Sequence, residues 1–364
     1  MKRLIACALV VVVTTSALAQ DRAQRRNRRR MRRARPQTIV PSDAKLEGPL
    51  YTRGAAIHGG LTEGPAAAPD GTIYFSDIPT GSDKGLIVRY DPKTRKSEIF
   101  TADSGKANGL FFDGQGNLIA CEGSDEGGRR VSKWNVKTKE RTTLADRFQG
   151  KRFNAPNDLV IDSKGRIYFT DPRYLGTESR ELEHRAVYRI NTDGAVVEVT
   201  HDVSKPNGIN LSPDETTLYV IDHDNGADHS DPKGPQPAKG RMAVDAFPLG
   251  DDGLVKGPKR TILDFGKEDG ADGMTVDSNG NLYFALRSNS RPGVLVTDAN
   301  GKERGFVSTG EPNQKVDAEH PAKGLPSNVE FGVGDEQNLL YVTVDQSLYR
   351  VRLNANGHHP QFAK

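Results

Sequence analysis

Six polar residues recur at one register of this 364-residue chain: Glu63, Asn108, Asn157, Asn207, Asp272 and Asn328 each stand just ahead of a short apolar run. Four of them, Glu63, Asn157, Asn207 and Asp272, offer only oxygen donors, two carboxylates and two amide carbonyls. Ca²⁺ takes roughly six to eight such oxygens in flexible geometry, so four protein ligands completed by water suit it. Mg²⁺, Mn²⁺ and Zn²⁺ are the other candidates, although no Cys or His stands at this register to favour zinc. Taken singly, each residue reads more simply as a strand-end cap, since Asn-Gly and Asp-Gly are common in turns. Six in register, acids among them, point instead to a shared site, because an unpaired acid is costly to bury. Asn108 and Asn328 carry no charge and are candidates for holding a substrate or for reaching an ion through water. Asp158, next to Asn157, is expected on the opposite face of its strand, behind the ligands.

The elements that would position these residues are hairpins. Each polar residue opens a run such as NGLFFDGQGNLIA or DGMTVDSNGNLYF, two apolar strands joined by a turn whose Gly, Asn and Asp supply positive φ. With Tyr74, Ile119, Tyr168, Tyr219, Tyr283 and Tyr341 as anchors, the spacings are 45, 49, 51, 64 and 58 residues, and the polar residue lies 11 to 13 positions earlier. A repeat of this length built of strands predicts an all-β, six-bladed β-propeller, in which equivalent positions face one axis. Outer hairpins such as LIVRYDPKTRKSEIFTA complete five blades. The sixth ends on SLYRVRL one strand short, and the unassigned segment 49–57 is expected to close it and hide both free edges. The connections 173–185, 223–241 and 309–327 are the longest and are expected to cover one mouth of the channel.

Composition divides the chain further. Residues 1–19 have a cationic tip, an apolar run and Ala17-Leu18-Ala19, and read as a signal peptide. Residues 20–47 form a basic arm and linker, with nine Arg and one Asp between 20 and 35, too polar to bury a core. The propeller is expected over 48–357, with a C-terminal tail at 358–364. Export to the periplasm or beyond follows, with no membrane span in the mature form. The arm's expected partner is then an anionic envelope surface rather than nucleic acid. With Cys7 in the signal peptide, Cys121 is the one thiol of the mature chain, so strand pairing rather than a disulfide must close the ring.

From about 48 to 355 the chain resembles the senescence-marker-protein/gluconolactonase/luciferin-regenerating family, to which regucalcin-like proteins belong. The resemblance lies in TEGPA around Glu63, RFNAPNDLVID around Asn157, KPNGINLSPD around Asn207 and ADGMTVDSNGNLYFA around Asp272. It implies that these four residues bind one divalent metal and that the protein is a lactone hydrolase, with glucono-1,5-lactone the first candidate substrate. A bound cation would polarise the lactone carbonyl. Asp272 is the expected general base, or less favourably a nucleophile, and Glu63 a ligand only. The family's animal members carry a lactone-holding Arg where this chain has Ala155, and Arg152 is the expected replacement. His58, His223, His229 and His320 are the alternative bases, each read more simply as a loop histidine. No GxSxG elbow appears, which disfavours serine hydrolase chemistry. Two alternatives stand beside the lactonase: a phosphoester or organophosphate hydrolase on the same metal, and a non-catalytic binding module stabilised by calcium.

Overall fold

Alternation and turn chemistry build six four-stranded antiparallel sheets, arranged as a six-bladed β-propeller. A computed structural model describes residues 38–54, 60–228, 237–315 and 323–362. The basic arm up to residue 37, the signal segment, His58, His229 and His320 therefore lie outside the described residues. Those from Ile39 onward form one compact unit.

The first strand of each blade is innermost: Leu61–Ala67, Ala107–Phe112, Leu159–Ile161, Pro206–Leu211, Ala271–Val276 and Pro326–Phe331. Each inner strand touches the next around the ring, and the sixth returns to the first. The anchor tyrosines are the reason the second strands hold their places. Tyr74 packs edge-on against Phe100 and Phe112, at 5.3 Å from each. The buried hydroxyl of Tyr168 donates to Gly253 O at 2.8 Å, and that of Tyr283 to Asp277 Oδ2 at 2.9 Å. Between blades the core is apolar; one cluster runs from Phe111 and Ile119 of blade 2 through Tyr168 of blade 3 to Val220 of blade 4.

The sixth blade is closed from the N-terminal side, as expected, but by Glu47–Thr52 rather than 49–57. Tyr51 pairs with Leu348 and Thr52 with Ser347. Beyond Thr52 the Arg53 N–H still donates to Gln346 O at 3.1 Å, while the Arg53 guanidinium forms a buried ion pair with Asp77 of blade 1. Tyr51 also reaches blade 1, with its ring 5.1 Å from Phe75 and its hydroxyl 2.7 Å from Asp77 Oδ2. At the other end, the segment expected as a tail packs on the domain. His358 N donates to Val276 O at 3.1 Å, and Phe362 lies against the cluster of Tyr74 and Trp134.

Candidate functional site

The register of polar residues converges at the axis because five of the six inner strands carry an irregularity there. Pairing slips between Glu63 and Ala66, Ala107 and Leu110, Pro206 and Ile209, Ala271 and Met274, and Pro326 and Asn328. A bulge bends the strand and re-aims its side chains. In blade 3 regular pairing starts only at Leu159, after Asn157 and Asp158. Strict alternation does not apply at Asp158 for that reason, and its side chain is not turned to the face away from the axis as expected. Asp158 faces the axis, where Asn328 Nδ2 from the opposite blade donates to its Oδ2 at 3.3 Å.

Glycine follows the polar residue in four blades, and close approach explains it. A Cβ on Gly109 would lie 2.7 Å from Asn157 O and overlap the Asp158 carboxylate; one on Gly273 would overlap the Asn328 amide. Hydrogen bonds to main-chain carbonyls tie neighbouring blades here, with Gly109 N donating to Asn157 O at 2.7 Å between blades 2 and 3 and Ser76 Oγ to Asn108 O at 2.7 Å between blades 1 and 2.

Glu63, Asn157, Asn207, Asp272 and Asn328 are all buried, and Asn108 is half-buried. Asn207 Nδ2 donates to Asp272 Oδ1 at 2.6 Å, and Asp272 Oδ2 lies 3.4 Å from Arg287 Nε. Burial pushes the Glu63 carboxyl well above the ordinary range; the nearby Asp272 charge pushes it further, Arg287 opposes, and Asp158 adds to the rise. Asp158 is itself pushed up to about 7 by burial, against the Leu159 N–H and the Asn328 amide. Buried carboxylates that resist ionising beside one another are a site short of positive charge.

That shortage, with donors that are all oxygen, fits a hard divalent cation. Among the described residues no three His, Cys, Asp or Glu side chains gather as a metal cluster, so the fit rests on two carboxylates and two amides. Asn207 as it stands has its nitrogen on Asp272, which leaves its carbonyl oxygen for an ion.

A cavity of about 60 Å³ adjoins Asn108 and Asn157, walled by Ile78, Lys106, Tyr174 and Leu175. Ala155 lines it too, but Arg152 does not: the Arg152 guanidinium donates to Gly128 O at 2.8 Å and its backbone N–H to Glu181 Oε2 at 2.9 Å. Arg152 is therefore occupied at the junction of blades 2 and 3. His223 is buried near Asp272, with Nδ1 2.8 Å from Ala271 O, and burial holds its ring below the ordinary histidine range.

Arg287 and Tyr174 escape the sequence reading. Arg287 stands four residues after the anchor Tyr283, as His223 does after Tyr219, so the same register extended along the second strand finds it. Tyr174 sits in a long connection where no register runs.

Residues 61–346 match the family described as SMP-30/Gluconolactonase/LRE-like region. The chain is 29% identical over 318 residues to a gluconolactonase of Zymomonas mobilis, covering 81% of this chain and 79% of that one. It is 27% identical over 284 residues to pentonolactonase XacC of Haloferax volcanii, covering 78% and 81%. A solved gluconolactonase of Xanthomonas campestris superposes with a TM-score of 0.66 at 26% identity, over 86% of this chain and 91% of that one.

Proposed function

Because the chain belongs to the SMP-30/gluconolactonase/LRE-like family, we propose that it is a gluconolactonase-like lactone hydrolase, a carboxylic ester hydrolase working at the axial cluster. An aldonolactone such as glucono-1,5-lactone is the first candidate substrate, supported by relatives that are a gluconolactonase and a pentonolactonase. The observation that carries the reading is the burial of Glu63 beside Asp272, two acids that share the one Arg287 guanidinium. Glu63, Asn157, Asn207 and Asp272 would hold one divalent cation, Ca²⁺ in the first instance. When bound, such an ion supplies Lewis-acid polarisation of a carbonyl and stabilises the oxyanion that develops on attack.

The chain's own residues do the rest. Asp272 accepts the proton of the attacking water as the water oxygen bonds to the carbonyl carbon, and returns it to the ring oxygen as the C–O bond breaks. The Asn207 amide holds Asp272 Oδ1 in place for that transfer. Asn108 and Asn157 face the adjoining cavity and orient the lactone, while Ile78 and Leu175 limit water there. Asn328, bonded to Asp158, braces the floor of the site rather than touching substrate. Arg152 takes no part in this reading. The amino-terminal sequence supports export, and a role for the arginine-rich arm at an anionic surface.

The test compares Glu63→Gln with Asp272→Asn at cation occupancy measured by calorimetry. Both weaken Ca²⁺ binding. At full occupancy Glu63→Gln regains most of its lactone turnover, whereas Asp272→Asn stays slow by roughly 10²- to 10⁴-fold, the usual effect of a lost general base. Equal recovery of both would move the proton transfer to His223.

A further inference from the structure

Asn207 has a second partner besides Asp272. Its Nδ2 also lies 3.0 Å from the hydroxyl of Tyr174, which stands on the connection after the second strand of blade 3. That hydroxyl donates its proton to His223 O, 3.0 Å away. We propose that Tyr174 is a positioning residue that fixes which end of the Asn207 amide faces the ion, a claim that rests on the reading of Asn207 as a ligand.

A backbone carbonyl only accepts, so the single proton of Tyr174 is committed to His223 and its oxygen is left to accept. An ionised Asp272 also only accepts. The Asn207 amide is thus flanked by two acceptors, the Tyr174 oxygen at 3.0 Å and Asp272 Oδ1 at 2.6 Å. An amide has both donors on one end and its acceptor on the other, so nitrogen must fill that side and the oxygen must be presented elsewhere. Turned about, the amide would set its oxygen against both acceptors with no proton between them. Asp272 alone leaves the amide one tether; Tyr174 makes the orientation two-point.

The phenol is built to stay where it is. Lys205 Nζ lies 4.7 Å from the ring centroid, and this ammonium is itself buried, 3.3 Å from Asn225 Oδ1 and 3.7 Å from Asp224. On the other side of the chain the buried Arg173 donates to Gly176 O at 2.6 Å, fastening the connection that carries Tyr174. One side chain from blade 3 therefore reaches the Asn207 amide and the His223 carbonyl, both of blade 4.

Tyr174→Phe keeps the ring and its contact with Lys205 and removes only the hydroxyl. Calorimetry with Ca²⁺ alone should show affinity reduced roughly 10- to 100-fold, the effect usual for an outer partner of a metal ligand, with the metal-free protein still melting in one cooperative transition. In an Asn207→Asp background, where the carboxylate has two equivalent ends, the same substitution should lose its effect. Wild-type affinity in Tyr174→Phe, or an equal loss in both backgrounds, would overturn the proposal. A readout without metal keeps it separate from the proposed function. In the metal-free protein the two side-chain amide protons of Asn207 should be distinct and slowly exchanging by NMR, and should exchange faster in Tyr174→Phe; unchanged exchange would also overturn it. If the wild type binds no Ca²⁺, the metal reading fails while the amide protons still decide the orientation.

Discussion

Glu330 is buried two residues beyond Asn328, accepting from Thr275 Oγ1 at 3.0 Å and from Phe331 N at 2.6 Å. Burial pushes its carboxyl up to about 8, those two donors oppose the rise, and the charge of Asp158 adds to it. His359, 3.9 Å away, gives no counter-charge near neutrality because burial pushes it down to about 4. An acid whose folded pKa is raised contributes stability below its unfolded value, and that contribution is lost as pH rises through the folded one. Here the window runs from about 4.5 to about 8. Glu330→Gln should therefore melt like the wild type near the acid end and above it near the basic end. The gap should be on the order of a few kcal/mol at about 1.4 kcal/mol per pKa unit, and parallel melting temperatures across the window would contradict it. The same scale shows where sequence reading reaches. Glu63, Asn207 and Asp272 were legible because a repeat places equal positions at one axis. The face of Asp158 was not legible because alternation presumes a regular strand, and regular pairing in that blade begins only at Leu159. Glu330 gave no signal, since an acid in NVEF is unremarkable until the ring buries it.

Among elements, the closing strand carries the most structural consequence for its length. Glu47–Thr52 pairs with Ser347–Arg352 across nearly 300 residues of chain, and its side chains also bind blade 1 through Tyr51, so it fastens two blades at the seam of the ring. Without it and the adjoining Arg53, Ser347–Arg352 would present an unpaired edge and the buried Asp77 would lose its partners Tyr51 and Arg53. A chain beginning at Thr38 should unfold in one cooperative transition, whereas one beginning at His58 should not; superimposable melting curves for the two would refute the role given to this strand. Its existence could be read from a blade short of one strand. Its bounds could not, because the pairing of Arg53 with Asp77 just beyond it is a contact between blades. The connections were legible only as lengths: nothing in DPRYLGTESREL announces that Tyr174 reaches the axis.

From Ile39 onward the described residues form a ring whose inner strands and their approaches bring carboxylates and amides to one small volume, with apolar packing between blades holding the radius. Ring closure makes that convergence rigid, and rigidity is what lets a handful of side chains keep two acids buried side by side. Blade number and axial register were readable because both are periodic properties; the far end was not, since the residues after Arg352 belong to no repeat yet bond to blade 5 through His358 and Asp277. The claim that this axis hydrolyses lactones with the help of a divalent cation is tested most directly by base uptake at constant pH. The substrates are glucono-1,5-lactone, other aldonolactones and a phosphotriester, each with and without chelator and with Ca²⁺ restored. Proton release from a lactone that exceeds its spontaneous rate, disappears with chelator and returns with Ca²⁺ is the predicted result. Release unaffected by chelator, or confined to the phosphotriester, would contradict it.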